Sequence, residues 1–174
     1  MRARRRAAFG RVAAVVAGTV GGFAFVQLFV RRAETYAATA AVHALGITRA
    51  HVVPPTSIQV FPHDTAPFRA IITPSCSSAA SIVALACLAT LAPRHAGGRR
   101  FTSLLLAVSV VVVGNIVRIA SSIGIGVVAG RASLVLFHDW VGSAFTFAYT
   151  LGGFVLMLFF QLPSRRPEVD VARS

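Results

Sequence analysis

The chain has 174 residues, 56% hydrophobic and only 13% charged, with a mean hydropathy of +0.75 and a formal net charge of +12. Soluble domains carry about a quarter charged residues, so this composition argues for a membrane protein. Nucleic acid is not the implied partner, because the 17 basic residues, all arginine, are distributed between apolar runs and do not gather on one face.

The N-terminal arm carries Arg2, Arg4, Arg5, Arg6 and Arg11, and residues 9–30, "FGRVAAVVAGTVGGFAFVQLFV", form a first apolar stretch. A cleaved signal peptide is the rival reading, with "MRARRR" as its charged region and "ATA" (38–40) as the cleavage site. The stretch exceeds the ~7–15 residues of a signal core, so a retained anchor helix is expected. Next, "ETYAATAAVHALGI" mixes small apolar residues with Glu34 and His43 and suggests a short interfacial helix. Two extended fragments follow, "SIQVF" and "FRAIIT", separated by "PHDTAP". The prolines forbid helix and invite turns, so a small hairpin is expected outside the membrane.

Three further apolar stretches are long enough to span about 30 Å of hydrocarbon: Ser75–Leu91, Phe101–Gly124 and Trp140–Gln161. Between the last two, 121–139 is apolar enough to lie in the interface or dip back into the membrane. The expected fold class is thus all-α. It is a polytopic membrane bundle of about four transmembrane helices, with the interfacial helix and hairpin, in one membrane domain over 1–174. Arginine placement sets the orientation. The arm, the link with Arg94, Arg99 and Arg100, and the tail with Arg165, Arg166 and Arg173 all fall on one side, which is then the cytoplasm. Arg31 and Arg32 oppose the rule but do not tip the balance. The expected location is the cell membrane, with both termini cytoplasmic.

Cys76 and Cys87 are too few for a disulfide framework or a zinc cluster. Eleven residues apart on one helix, they would lie roughly 16 Å apart, beyond the reach of a bridge. In "ITPSCSS", Thr73 suits a helix cap and Pro74 a first helical position. Cys76 then falls in the first turn, where free N–H groups favour a thiolate. Arg118 lies inside an apolar run, at a cost of at least ~2.5 kcal/mol near mid-bilayer. Asn115, Arg118 and Ser122 share one helix face at i, i+3, i+7, while His138, Gly142 and Thr146 form a second stripe at i, i+4, i+8. On this topology three spans bring a thiol, a guanidinium and an imidazole to one depth near the outer surface. Such a set suits nucleophilic attack by sulfur, acid–base work by imidazole and oxyanion stabilisation by arginine.

Blander roles compete with each assignment. Cys87 suits a small buried hydrophobe. Arg118 could snorkel to headgroups, and His138 could bond a backbone carbonyl at the interface. Asp139, adjacent to His138, points elsewhere on a helix. His43, His51, His63 and Asp64 match no ligand spacing, so neither a metal nor another cofactor is expected.

The chain resembles the exosortase/archaeosortase family of membrane cysteine transpeptidases in three motifs: "PSCSS" opening a span, "GNIVRI" late in the next and "HDWVG" opening the last. The resemblance covers roughly residues 50–160, as a short form of a family whose members often have more spans. It implies Cys76, Arg118 and His138 as catalytic residues, supported by Asn115 and Gly142. It also implies cleavage of exported proteins that end in a recognition motif, a membrane helix and a basic tail, with transfer to an acceptor on the outer face. Membrane lipids are the other partners. Ser78 stands where the family usually has glycine, which would narrow the site if the substrate backbone must approach there. The hairpin around Ile58–Val60 is a candidate to hold the motif by strand addition. Two other readings stay open: a non-catalytic scaffold or small transporter subunit, and a silent relative that binds the sorting signal without cutting it.

Overall fold

A computed structural model describes residues 2–63, 66–91 and 97–161, with side chains from 21 onward except at 90–97 and 99. The first proline is Pro54, so nothing interrupts the N-terminal run, and helix α1 extends from Arg2 to Ala44. It ends at Gly46, whose φ of +86° suits glycine, and Ile47 N–H closes onto Val42 C=O at 3.2 Å. His43 Nε2 then donates to Ala50 C=O at 2.7 Å, fastening the next strand to the helix end.

Strands β1 (Ala50–Val53), β2 (Ser57–Val60) and β3 (Phe68–Ile71) form an antiparallel meander in that order. Ala50 stands opposite Val60, and Ser57 opposite Ile71. Ala50, Ile58, Val60 and Phe68 are buried with Ala38 and Val42 of α1. Arg31 binds the sheet to α1 by donating to Ile72 C=O and Thr56 Oγ1.

A 3-10 turn, Pro74–Cys76, leads into α2 (Ala79–Leu91). Helix α3 runs from Gly97 to Leu136, and its Ile119, Ala120 and Ile123 complete the core beneath the sheet. Gly130, at φ +81°, breaks α3 and lets Leu134 return against Gly126. One π-helical turn, Phe137–Val141, then leads into α4 (Gly142–Gln161). Helix α4 packs antiparallel on α3, with Tyr149 against Gly114, Gly153 against Ala107, and Gln161 donating to Ser103 at 3.1 Å.

The four-span, all-α bundle is overturned. Among the described residues there are three continuous helical stretches, a three-stranded sheet, and one helical run, Arg100–Gln161, long and apolar enough to cross a membrane. Hydropathy located the apolar residues but not the breaks between them. The expected interfacial helix is the uninterrupted end of α1. The expected span Ser75–Leu91 loses its first turn to the 3-10 segment and the extended Ser77, leaving a 13-residue α2. Such a helix reaches only about 20 Å. The connection 121–139 is helical, so the last two expected spans form one run folded back at Gly130. The first expected span lies within α1, but the side chains of 1–20 fall outside the described residues. The hairpin has a third strand, β1, and β2 sits between two neighbours, so Ile58–Val60 has no free edge to offer a peptide.

Candidate active site

The sheet and the helical run meet at Cys76. Its Sγ lies 3.1 Å from His138 Nε2, joining the 3-10 turn to the π-helical turn. The Thr73 hydroxyl donates to the same sulfur at 2.9 Å and accepts from Ser75 at 2.8 Å. Cys76 is buried, with 8% of its surface exposed. Burial pushes the thiol up, but hydrogen bonds from His138 and Thr73, with the charge on the imidazole, outweigh it and bring it from 9.0 to about 6. Stabilisation by the α2 N-terminus does not apply, because Cys76 precedes α2 and Thr73 makes no side-chain cap. Thr73 turns its hydroxyl to the sulfur instead.

Arg118, only 5% exposed, places Nη2 3.3 Å from His138 Nε2 and Nη1 3.5 Å from Asn115 Oδ1. Its Nε is buried without a hydrogen-bond partner. Gly142 makes room for it, since a Cβ there would stand 2.7 Å from Arg118 Nε. A guanidinium donates only, so Arg118 can bond Nε2 only while that nitrogen is unprotonated. Once the thiol proton moves to Nε2, the N–H donates to the thiolate and the bond from Arg118 is given up.

Behind this trio lies a buried network. Asn115, fully buried, donates to Cys76 C=O at 3.0 Å and to Glu34 Oε1 at 2.8 Å, while Tyr149 donates to its Oδ1 at 3.0 Å. Glu34 Oε1 also accepts from Ser78 N–H at 2.9 Å and from the Ser78 hydroxyl. The backbone that follows Cys76 is thus held at two points, by Asn115 and by Glu34. Ser78 turns into this network and does not line the cavity beside Cys76.

The structure therefore brings Cys76, Arg118, His138, Asn115 and Gly142 together. Of the outlying histidines, His43 holds β1 and His51 lies against Phe61, while Asp64 falls outside the described residues. Cys87 is exposed on α2. Two residues were missed by sequence reasoning. Tyr149 extends the buried stripe of Gly142 on α4, a signal that was available. Glu34 offered only its rarity as an acid beside an apolar helix. It contributes to stability: Glu34→Ala leaves Ser78 N–H and one Asn115 N–H without acceptors, which should cost about 3 kcal/mol. Glu34→Gln, which keeps an acceptor oxygen, should cost less. Thermal unfolding in detergent checks this, and an unmoved midpoint for Glu34→Ala refutes it.

Compared with protein-family models, curated proteins and solved structures, the chain matches none.

Proposed function

We propose that the chain is a membrane cysteine transpeptidase of the exosortase/archaeosortase kind, which cleaves exported proteins near a C-terminal membrane helix and basic tail. The observation that carries this reading is the 3.1 Å contact of Cys76 Sγ with His138 Nε2 at the wall of a cavity. His138 Nε2 takes the thiol proton, and the thiolate attacks the scissile carbonyl carbon. Arg118 turns from Nε2 toward the oxygen that gains the charge. The C–N bond then breaks as the imidazolium returns its proton to the leaving amine, and a thioester remains on Cys76. An acceptor amine or water, deprotonated by His138, attacks that thioester and expels the thiolate.

Membrane placement is supported by the run Arg100–Gln161 and by its outward apolar side chains, among them Phe101, Val113, Phe147, Val155 and Phe159. Arginines flank both ends of this run, at Arg99 and Arg100 and at Arg165 and Arg166. In our reading both ends and both termini are cytoplasmic, the run crosses and returns, and the turn bearing His138 is extracytoplasmic.

The test is a tagged exported protein ending in an apolar helix and an arginine tail, expressed with this chain in intact cells. The tail should be lost, and a covalent intermediate on Cys76 should be released by hydroxylamine. Unchanged processing with Cys76→Ser eliminates the reading.

A further inference from the structure

We propose that the outer edge of β3 is a docking strand, to which an extended peptide adds beside Cys76 while placing an apolar side chain in the adjoining cavity. This deepens the peptidase reading above and rests on it.

Ladder phase identifies the free groups. Ile72 N–H donates to Thr56 C=O at 2.8 Å, continuing the register in which Ile58 faces Ala70 and Val60 faces Phe68. In an antiparallel pair, bonded residues alternate with unbonded ones, so Phe68, Ala70 and the Ile72 N–H face β2, while the Ile72 C=O is taken by Arg31. The N–H and C=O of Arg69 and Ile71 therefore point away from the sheet. No other described strand pairs with that edge.

The edge opens on a cavity of about 190 Å³ lined by Phe68, Ile71, Ile119, Ile123, Leu134 and Val135, with Cys76 and His138 in the same wall. β3 runs directly into the turn that carries Cys76, with only Ile72 and Thr73 between them. Acyl chains would fill the cavity but leave the edge amides and carbonyls unpaired, which apolar surroundings penalise. A peptide satisfies both: its backbone completes the ladder and alternate side chains enter the cavity. β2, paired on both sides, has no such capacity.

The test uses the full chain in detergent with Cys87→Ala, so that alkylation reports Cys76. Two reagents of alternating Leu and Thr are used: a peptidyl chloromethyl ketone, with residues on the acyl side, and a bromoacetyl peptide amide, with residues on the amine side. Each is compared with a twin methylated on its backbone nitrogens. At least one reagent should label about tenfold faster than its twin, the worth of one or two backbone hydrogen bonds. Which one does so gives the direction of the added strand. Ile71→Pro removes the outward N–H without touching the β2 ladder and should erase the preference, with the iodoacetamide rate retained. Equal labelling by both reagents and their twins, which needs no variant, overturns the proposal. So does an octyl chloromethyl ketone that labels as fast as the peptides, since a lipid-like chain would then be the occupant. Lost preference with Cys76-dependent processing intact sinks only the docking strand, whereas Cys76-independent processing sinks the peptidase reading itself.

Discussion

Cys76→Ser should reduce turnover of the tagged substrate by about 10,000-fold, His138→Ala by about 1,000-fold, and the double variant no further than Cys76→Ser alone. Non-additivity is the informative part, because a base 3.1 Å from its nucleophile has nothing to activate once the sulfur is gone. Multiplying losses would mean that the two residues act independently. Iodoacetamide alkylation of Cys76, with Cys87 replaced by alanine, supplies a second measure. In the otherwise native chain its rate should titrate with a midpoint at about 6. Without His138, burial still raises the thiol while the main opposing bond and charge are lost, so the midpoint should climb toward the ordinary 9.0 or above. Stability follows the same shift. The folded thiol titrates at about 6 and the unfolded one at 9.0, so its contribution is full above 9.0 and vanishes as pH falls through about 6. The native chain should therefore gain stability across that window more than His138→Ala does. A midpoint that stays at about 6 in His138→Ala would remove His138 from the thiol's environment.

The convergence of thiol, guanidinium and imidazole was legible because each announced itself locally. Arg118 stands out in an apolar run, Asn115 lies one helical turn before it, and Cys76 and His138 each stand at the edge of an apolar stretch. Their meeting depends on the turn at Cys76 and the fold-back at Gly130, not on a count of spans. Glu34 could not be found this way, because its bonds to Ser78 and Asn115 cross 44 and 81 residues, and no local spacing encodes them. The helix breaks were hidden for a similar reason. Gly130 reverses α3, but glycines at 124 and 126 have the same local character and stay helical. Packing of Leu134 and Phe68 against Gly126 selects the place where the chain folds back. β2 and β3 followed from β-branched residues between prolines. β1, four residues long after a helix-ending glycine, became a strand only by pairing with β2.

Arg118→Met should lower turnover by about 100- to 1,000-fold, the usual loss when a preorganised oxyanion donor is removed. Thiol alkylation develops no oxyanion, so the iodoacetamide rate should fall far less than turnover. That split separates charge stabilisation from collapse of the site. Methionine fills much of the same volume beside Gly142 and removes a buried charge whose Nε has no partner, so thermal stability should hold or rise. Lysine would keep the charge but not the planar fork, and it cannot hold Asn115 Oδ1 and His138 Nε2 with two separate nitrogens as Nη1 and Nη2 do. Arg118→Lys should therefore recover only part of the lost rate. If Arg118→Met instead loses stability while turnover per folded molecule falls less than tenfold, the guanidinium is a packing element, and the oxyanion donor must be sought among the N–H groups around Cys76.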